Sequence, residues 1–109
     1  MFDVVVFAGT TEGCEICSFL AKNKVSVLAC VATDYGSKSL KEGEYLKIHA
    51  GRLNGEEMEN LLKELSPGLV LDATHPYAAE VTENIRAACK NTGFSYQRVL
   101  RETGAYQDK

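Results

Sequence analysis

Short apolar runs alternate along this chain with segments in which hydrophobic side chains recur at helical spacing. The first run, Phe2 to Ala8, precedes a segment from about Gly13 to Asn23 with Ile16, Phe19 and Leu20 on one side. Spacing of that kind predicts an amphipathic helix, whereas four to eight apolar residues bounded by turn formers predict a strand. A second strand is expected over Val25-Ser26-Val27-Leu28-Ala29-Cys30-Val31, nearly all apolar, as in a strand covered on both faces. Residues 33–43 are polar and rich in Gly and Ser, which marks a loop with room for a short helical turn.

The third strand is read over Tyr45-Leu46-Lys47-Ile48, followed by a turn over His49-Ala50-Gly51-Arg52-Leu53. A helix from about Gly55 to Leu65 comes next, capped by Asn54 and rich in Glu over its first turns, which suits the helix dipole. Met58, Leu61, Leu62 and Leu65 form its buried stripe, and Ser66-Pro67-Gly68 stops it. Leu69 to Ala73 is the fourth strand. The next helix spans about Pro76 to Asn91, with Val81, Ile85 and Ala88 inward; Gly93 ends it, and Ser95 to Leu100 is the fifth strand.

Strands alternating with helices imply a doubly wound, Rossmann-like α/β domain: a parallel five-stranded sheet with helices on both faces. Right-handed crossovers make 3-2-1-4-5 the leading strand order. Strands one and four then lie side by side while the chain leaves them toward opposite faces. Open α/β sheets bind ligands in the crevice at such a switch point.

Two corners line that crevice. One is Gly9-Thr10-Thr11-Glu12-Gly13; the other is Asp72-Ala73-Thr74-His75-Pro76-Tyr77-Ala78. Each joins a strand to a helix, so each offers backbone N–H groups and the positive end of a dipole to an anion. The first is not the G-x-G-x-x-G fingerprint, because Thr11 stands at the second glycine position. Gly9 can make the tight turn, and Thr10 or Thr11 can cap the helix while offering hydroxyls to a phosphate; an ordinary helix start reads equally well.

In the second corner Pro76 is expected at or near the first helical position, and Asp72 to tie down N–H groups of the following turn. His75 invites proton transfer, since an unperturbed imidazole titrates near neutrality; a contact to ligand or cofactor is the alternative. Arg52, on the same sheet edge, suits a carboxylate or phosphate, or is simply a surface arginine. After strand two, Asp34 suits a ribose diol and Ser37 and Lys38 a phosphate, which leaves NADH and NADPH equally open.

Composition narrows the class. The chain has 109 residues, enough for one domain with a modest core. A net charge of −3 with scattered Lys and Arg argues against a nucleic-acid surface. Its apolar runs are too short to span a membrane, and no basic residues precede the first run as in a signal peptide. A cytoplasmic location is expected, with the four cysteines as reduced thiols. Cys14 and Cys17 form a C-x-x-C, but no aromatic precedes them and Glu15-Ile16 lies between. They are expected to be small apolar residues beside the Ile16/Leu20 face, a thiol-redox pair being the lesser reading. No second C-x-x-C or His pair completes a zinc site.

Taken together, the chain resembles the precorrin-6A reductase family of cobalamin biosynthesis. The likeness rests on Gly9-Thr10-Thr11-Glu12, on Gly51-Arg52-Leu53 before an acidic helix, and above all on Asp72 to Ala78. Asn84 and Ala87-Ala88-Cys89 fit as well. The similarity spans essentially the whole chain but only the N-terminal half of a family member, whose second α/β domain is missing here. It implies an oxidoreductase that passes a hydride from NADPH or NADH to precorrin-6A, or cobalt-precorrin-6A, giving precorrin-6B. Contacts to cofactor or substrate are then implied for Gly9, Thr10, Thr11, Glu12, Gly13, Gly51, Arg52, Leu53, Thr74, His75, Pro76 and Tyr77. The proton that accompanies the hydride is implied to come from His75, Tyr77 or a water. The 109 residues alone are expected to bind weakly and not to turn over. A non-catalytic nucleotide-binding regulatory domain is the alternative, since fold does not fix function.

Overall fold

The computed structural model describes residues 2–32, 40–75 and 78–99. The expectations for Asp34, Ser37, Lys38, Pro76, Tyr77 and Leu100 onward lie outside them. Five strands form one parallel sheet: β1 (Val4–Ala8), β2 (Val27–Val31), β3 (Leu46–Ala50), β4 (Leu69–Ala73) and β5 (Tyr96–Arg98). Their order is β3-β2-β1-β4-β5, as the sequence pattern predicts. The described helices are α1 (Thr11–Lys22), α2 (Gly55–Leu65) and α3 (Ala79–Thr92).

Side chains alternate across a strand, so β1 feeds two cores at once. Val4, Val6 and Ala8 pack with Cys17, Ile16 and Leu20 of α1. Val5 and Phe7 face the other way, onto Met58 and Leu62 of α2 and Ile85 and Ala88 of α3. In β2, Val27, Ala29 and Val31 join the first core and Leu28 and Cys30 the second. Burying one such aliphatic side chain contributes about 1.5–3 kcal/mol, and the branched valines suit a strand covered on both sides. This explains why the central strands are written almost wholly in apolar residues.

Element ends differ from expectation by a few residues, each with a local cause. α1 starts at Thr11 and not Gly13, because the Thr10 side chain caps it by accepting the Gly13 N–H at 3.1 Å. α3 starts at Ala79, three residues past Pro76, because the Ala78 N–H bonds the His75 carbonyl at 2.9 Å before the helix begins. His49 and Ala50 continue β3, paired with Cys30 and Val31, so the turn after it begins only at Gly51. Asn54 caps α2 as expected, with Glu57 completing a capping box.

All four cysteines are free thiols, and Cys17, Cys30 and Cys89 are buried. Burial disfavours the thiolate. It pushes Cys17 and Cys30 up to about 12 and Cys89 up to about 11, and it raises Cys14 as well. A redox pair needs the opposite shift, so Cys14 and Cys17 act as small core residues.

Candidate functional site

Because every strand pairs in parallel, the corners after β1, β3 and β4 share one edge of the sheet. Phe7 pairs with Asp72 and Ala8 with Ala73, so the two central corners begin at the same level. They are joined directly. The Gly9 N–H donates to the Ala73 carbonyl at 3.3 Å, and the Thr10 hydroxyl donates to the same oxygen at 2.9 Å. A β-carbon at Gly9 would lie 3.4 Å from Thr74 Cα and 3.6 Å from His75 N. The two turns therefore form one continuous surface.

Gly13 has a different task. A β-carbon there would sit 3.0 Å from both Ala73 Cβ and Ala8 Cα, so its missing side chain lets α1 press against the β1/β4 pair. That is the packing role of the last glycine in a dinucleotide-binding turn, reached here without the middle glycine.

The second corner is organised by Asp72, which is buried completely at the end of β4. Its Oδ1 accepts from the Thr74 N–H (3.1 Å), the Thr74 hydroxyl (2.7 Å) and Arg98 Nη1 (2.9 Å). Its Oδ2 accepts from the hydroxyls of Thr82 (2.9 Å) and Tyr96 (2.8 Å). Burial pushes the carboxyl up, but the hydrogen bonds from Thr74, Tyr96 and Thr82 outweigh it and hold the group below the usual aspartate value. Burial, reinforced by that carboxylate, pushes the Tyr96 phenol up to about 12, so it stays a donor.

Asp72 thus does tie down the following N–H, yet Thr82, Tyr96 and Arg98 were not anticipated. One signal was present. Tyr96 and Arg98 alternate on β5 opposite Val70 and Asp72, so a polar pair faces the same side as the only acid in β4.

The remaining expected residues divide by exposure. Thr74 turns its hydroxyl into the Asp72 cluster, where it also accepts from Arg98 Nη1 at 3.1 Å. The Thr10 hydroxyl is engaged at both its donor and an acceptor position. Thr11 and His75 are exposed at the rim, and Glu12 is half-buried. Gly51 takes a positive φ of 130° and donates its N–H to the Val31 carbonyl at 2.8 Å. Exposed Arg52 follows, while Leu53 packs into the α2/α3 core. With strands about 4.8 Å apart, the β3 corner lies roughly 10 Å from the β1 corner, on the same edge but outside the joined pair.

Chemically, the joined corners offer backbone donors at two helix starts, with an imidazole and a hydroxyl at the rim. No group of His, Cys, Asp and Glu able to hold a metal occurs among the described residues. No described helix is long and apolar enough to cross a membrane. Sheet order, helix placement and the switch-point crevice define a Rossmann-like α/β domain.

The profile described as precorrin-6x reductase CbiJ/CobK matches residues 3–109, and the chain belongs to that family. It is 35% identical over 99 residues to the cobalt-precorrin-6A reductase of Methanothermobacter thermautotrophicus, covering 90% of this chain and 33% of that protein. To the cobalt-precorrin-6A reductase of Salmonella typhimurium it is also 35% identical over 99 residues, covering 91% and 37%. A solved structure of CobK precorrin-6A reductase superposes with a TM-score of 0.79 at 27% identity, over 94% of this chain and 40% of that one. The chain therefore spans between a third and two-fifths of the length of these relatives.

Proposed function

We propose that this chain is the N-terminal part of an oxidoreductase that passes a hydride from NADPH or NADH to precorrin-6A or cobalt-precorrin-6A, yielding precorrin-6B. A second α/β domain, contributed by sequence beyond these residues, closes the site. The observation that carries this reading is the joining of the Gly9–Thr10 and Thr74–His75 corners at the switch point, in a chain whose relatives are named for that reaction.

The donor set fits an anionic dinucleotide. A bare Gly9 lets the two backbones meet, and the starts of α1 and α3 direct N–H groups and positive dipole ends toward the crevice. Reduced nicotinamide, when bound, supplies the hydride. The chain's own residues hold and orient. Thr11 and Glu12 border the α1 start, and Arg52 anchors a carboxylate of the tetrapyrrole from the β3 corner. Reduction of a double bond also consumes a proton. His75, exposed at the rim, delivers it directly or through a water; Tyr77 is the other candidate.

The test is calorimetric titration of NADPH and NADH into a protein that includes both this chain and the sequence following it. Saturable binding of at least one is expected, and failure to bind either overturns the reading. His75→Asn then assigns the proton: a fall in kcat of about 100-fold with unchanged nucleotide affinity identifies His75 as donor. Unaltered kcat moves that role to Tyr77 or solvent.

A further inference from the structure

A buried carboxylate is expensive, and the fold does not require one at position 72. The register partner on β1 is Phe7, so the same level of the sheet accepts an apolar side chain one strand away. Replacing buried ion pairs by apolar residues is often neutral or stabilising, so the charge calls for a purpose other than stability.

The geometry points to Asp72 as a positioning residue for the ligand corner, acting through Thr74 with Thr82, Tyr96 and Arg98 as its braces; this rests on the function proposed above. Four interactions converge on Thr74. Asp72 Oδ1 holds both its N–H and its hydroxyl, Arg98 Nη1 donates to that hydroxyl, and the Thr82 hydroxyl lies 3.2 Å from it. Thr74 is in turn the residue whose backbone a Gly9 β-carbon would meet first. The braces come from separate elements. Thr82 belongs to α3, Tyr96 and Arg98 to β5, and the Val99 N–H and Arg98 Nη1 both reach the Asp72 carbonyl, at 2.8 and 3.1 Å. The path of the corner is therefore set by the helix it feeds and by the last described strand together. A ligand lying across Gly9 and His75 then meets backbone donors already fixed in place, which lowers the ordering cost of binding.

Thr82→Val, Thr82→Ser and Tyr96→Phe test this. Amide resonances of Gly9, Thr10, Thr74 and His75 are followed in a protein that includes both this chain and the sequence following it. Dissociation constants for NADPH and NADH are measured in that same protein. Thr82→Val and Tyr96→Phe are expected to move those four amides, leave distant amides in place, and weaken NADPH by about tenfold. Thr82→Ser, which keeps the hydroxyl, restores both. Wild-type amides and affinity in the Val and Phe variants overturn the inference, as do resonance changes spread over the whole sheet or a Ser variant as impaired as Val. If wild type itself binds neither NADPH nor NADH while the four amides still move together, the proposed function falls and the positioning role of Asp72 stands.

Discussion

The corner that starts α2 and the corner that starts α3 share one edge of the sheet, yet their polar side chains do opposite work. At α2, the Asn54 side chain accepts the Glu57 N–H at 2.8 Å and Glu57 accepts the Asn54 N–H at 2.8 Å, with Glu56 adding charge in the first turn. The helix start is closed by its own side chains, and its dipole is already answered. At α3 no side chain caps the helix, and the nearby polar residues Asp72, Thr74 and Thr82 bond one another. One corner caps its helix; the other shapes a loop, and α3 begins without a side-chain cap, with Glu80 of its first turn facing its dipole. A polar residue beside a helix N-terminus is therefore informative only when its partner is known.

The largest expected effect breaks the second corner. Asp72→Ala strips the acceptor from Thr74, Thr82 and Tyr96 and leaves the Arg98 guanidinium without its carboxylate partner. Removing one member of a buried pair costs about 3–5 kcal/mol, and a guanidinium 21% exposed recovers some hydration, so about 3 kcal/mol is expected from urea unfolding. The pH dependence has a definite sign. The folded-state value of Asp72 lies below the ordinary 3.8, so its contribution is complete above about pH 4 and is lost as pH falls through the folded value. Asp72→Asn should flatten this acid limb. An unchanged limb would place the acid-sensitive carboxylates elsewhere and deprive the α3 corner of its distinguishing feature.

Gly13→Ala comes next. Its new β-carbon meets backbone and a β-carbon at 3.0 Å, contacts with little freedom to yield, so α1 must lift from β1 and β4. Overpacking of this kind costs about 1–3 kcal/mol, measurable as a lower melting temperature. Anion binding at the Gly9 corner should weaken with it, because Thr10 is tied both to α1 and to Ala73. The capping box stands third. Asn54→Ala should cost about 1 kcal/mol in the same melt, with nucleotide affinity unchanged, because the capping box serves only its own helix.

Strand order and core were readable because they follow from chain-local pattern: apolar runs long enough for a strand, helical stripes between them, and crossovers of one hand. β1, with all five residues buried, shows how plain that signal is. Side-chain direction at the corners was not readable in the same way. Thr10 and Thr11 look alike as caps, and only the closeness of β4 decides that Thr10 turns inward to the Ala73 carbonyl. Thr74 stands among the implied ligand contacts, and nothing local announces that Arg98, 24 residues on, is brought beside its hydroxyl. Those outcomes depend on which strands become neighbours, so no window of local sequence contains them. Asp72 was recognisable as a clamp on its own turn, since the Thr74 N–H is two residues away.

The smallest prediction reverses a sign. Gly55, at the start of α2, occupies a position like that of Gly13 near the start of α1, and both are helical. Among the described residues a β-carbon at Gly55 meets only Asn84 Oδ1, at 4.0 Å, which is ordinary contact, and its backbone needs no left-handed conformation. Gly55→Ala should therefore stabilise the fold by about 0.4–1 kcal/mol, because the unfolded chain loses freedom that the folded helix never used. Gly13→Ala destabilises for the reason already given. If both substitutions destabilise, α2 sits closer to its neighbours than the 4.0 Å approach implies, and its corner is no freer than the one beside β4. If Gly55→Ala stabilises while NADPH affinity holds, the closed corner can be improved without touching the open one, which is what a division of labour between them requires.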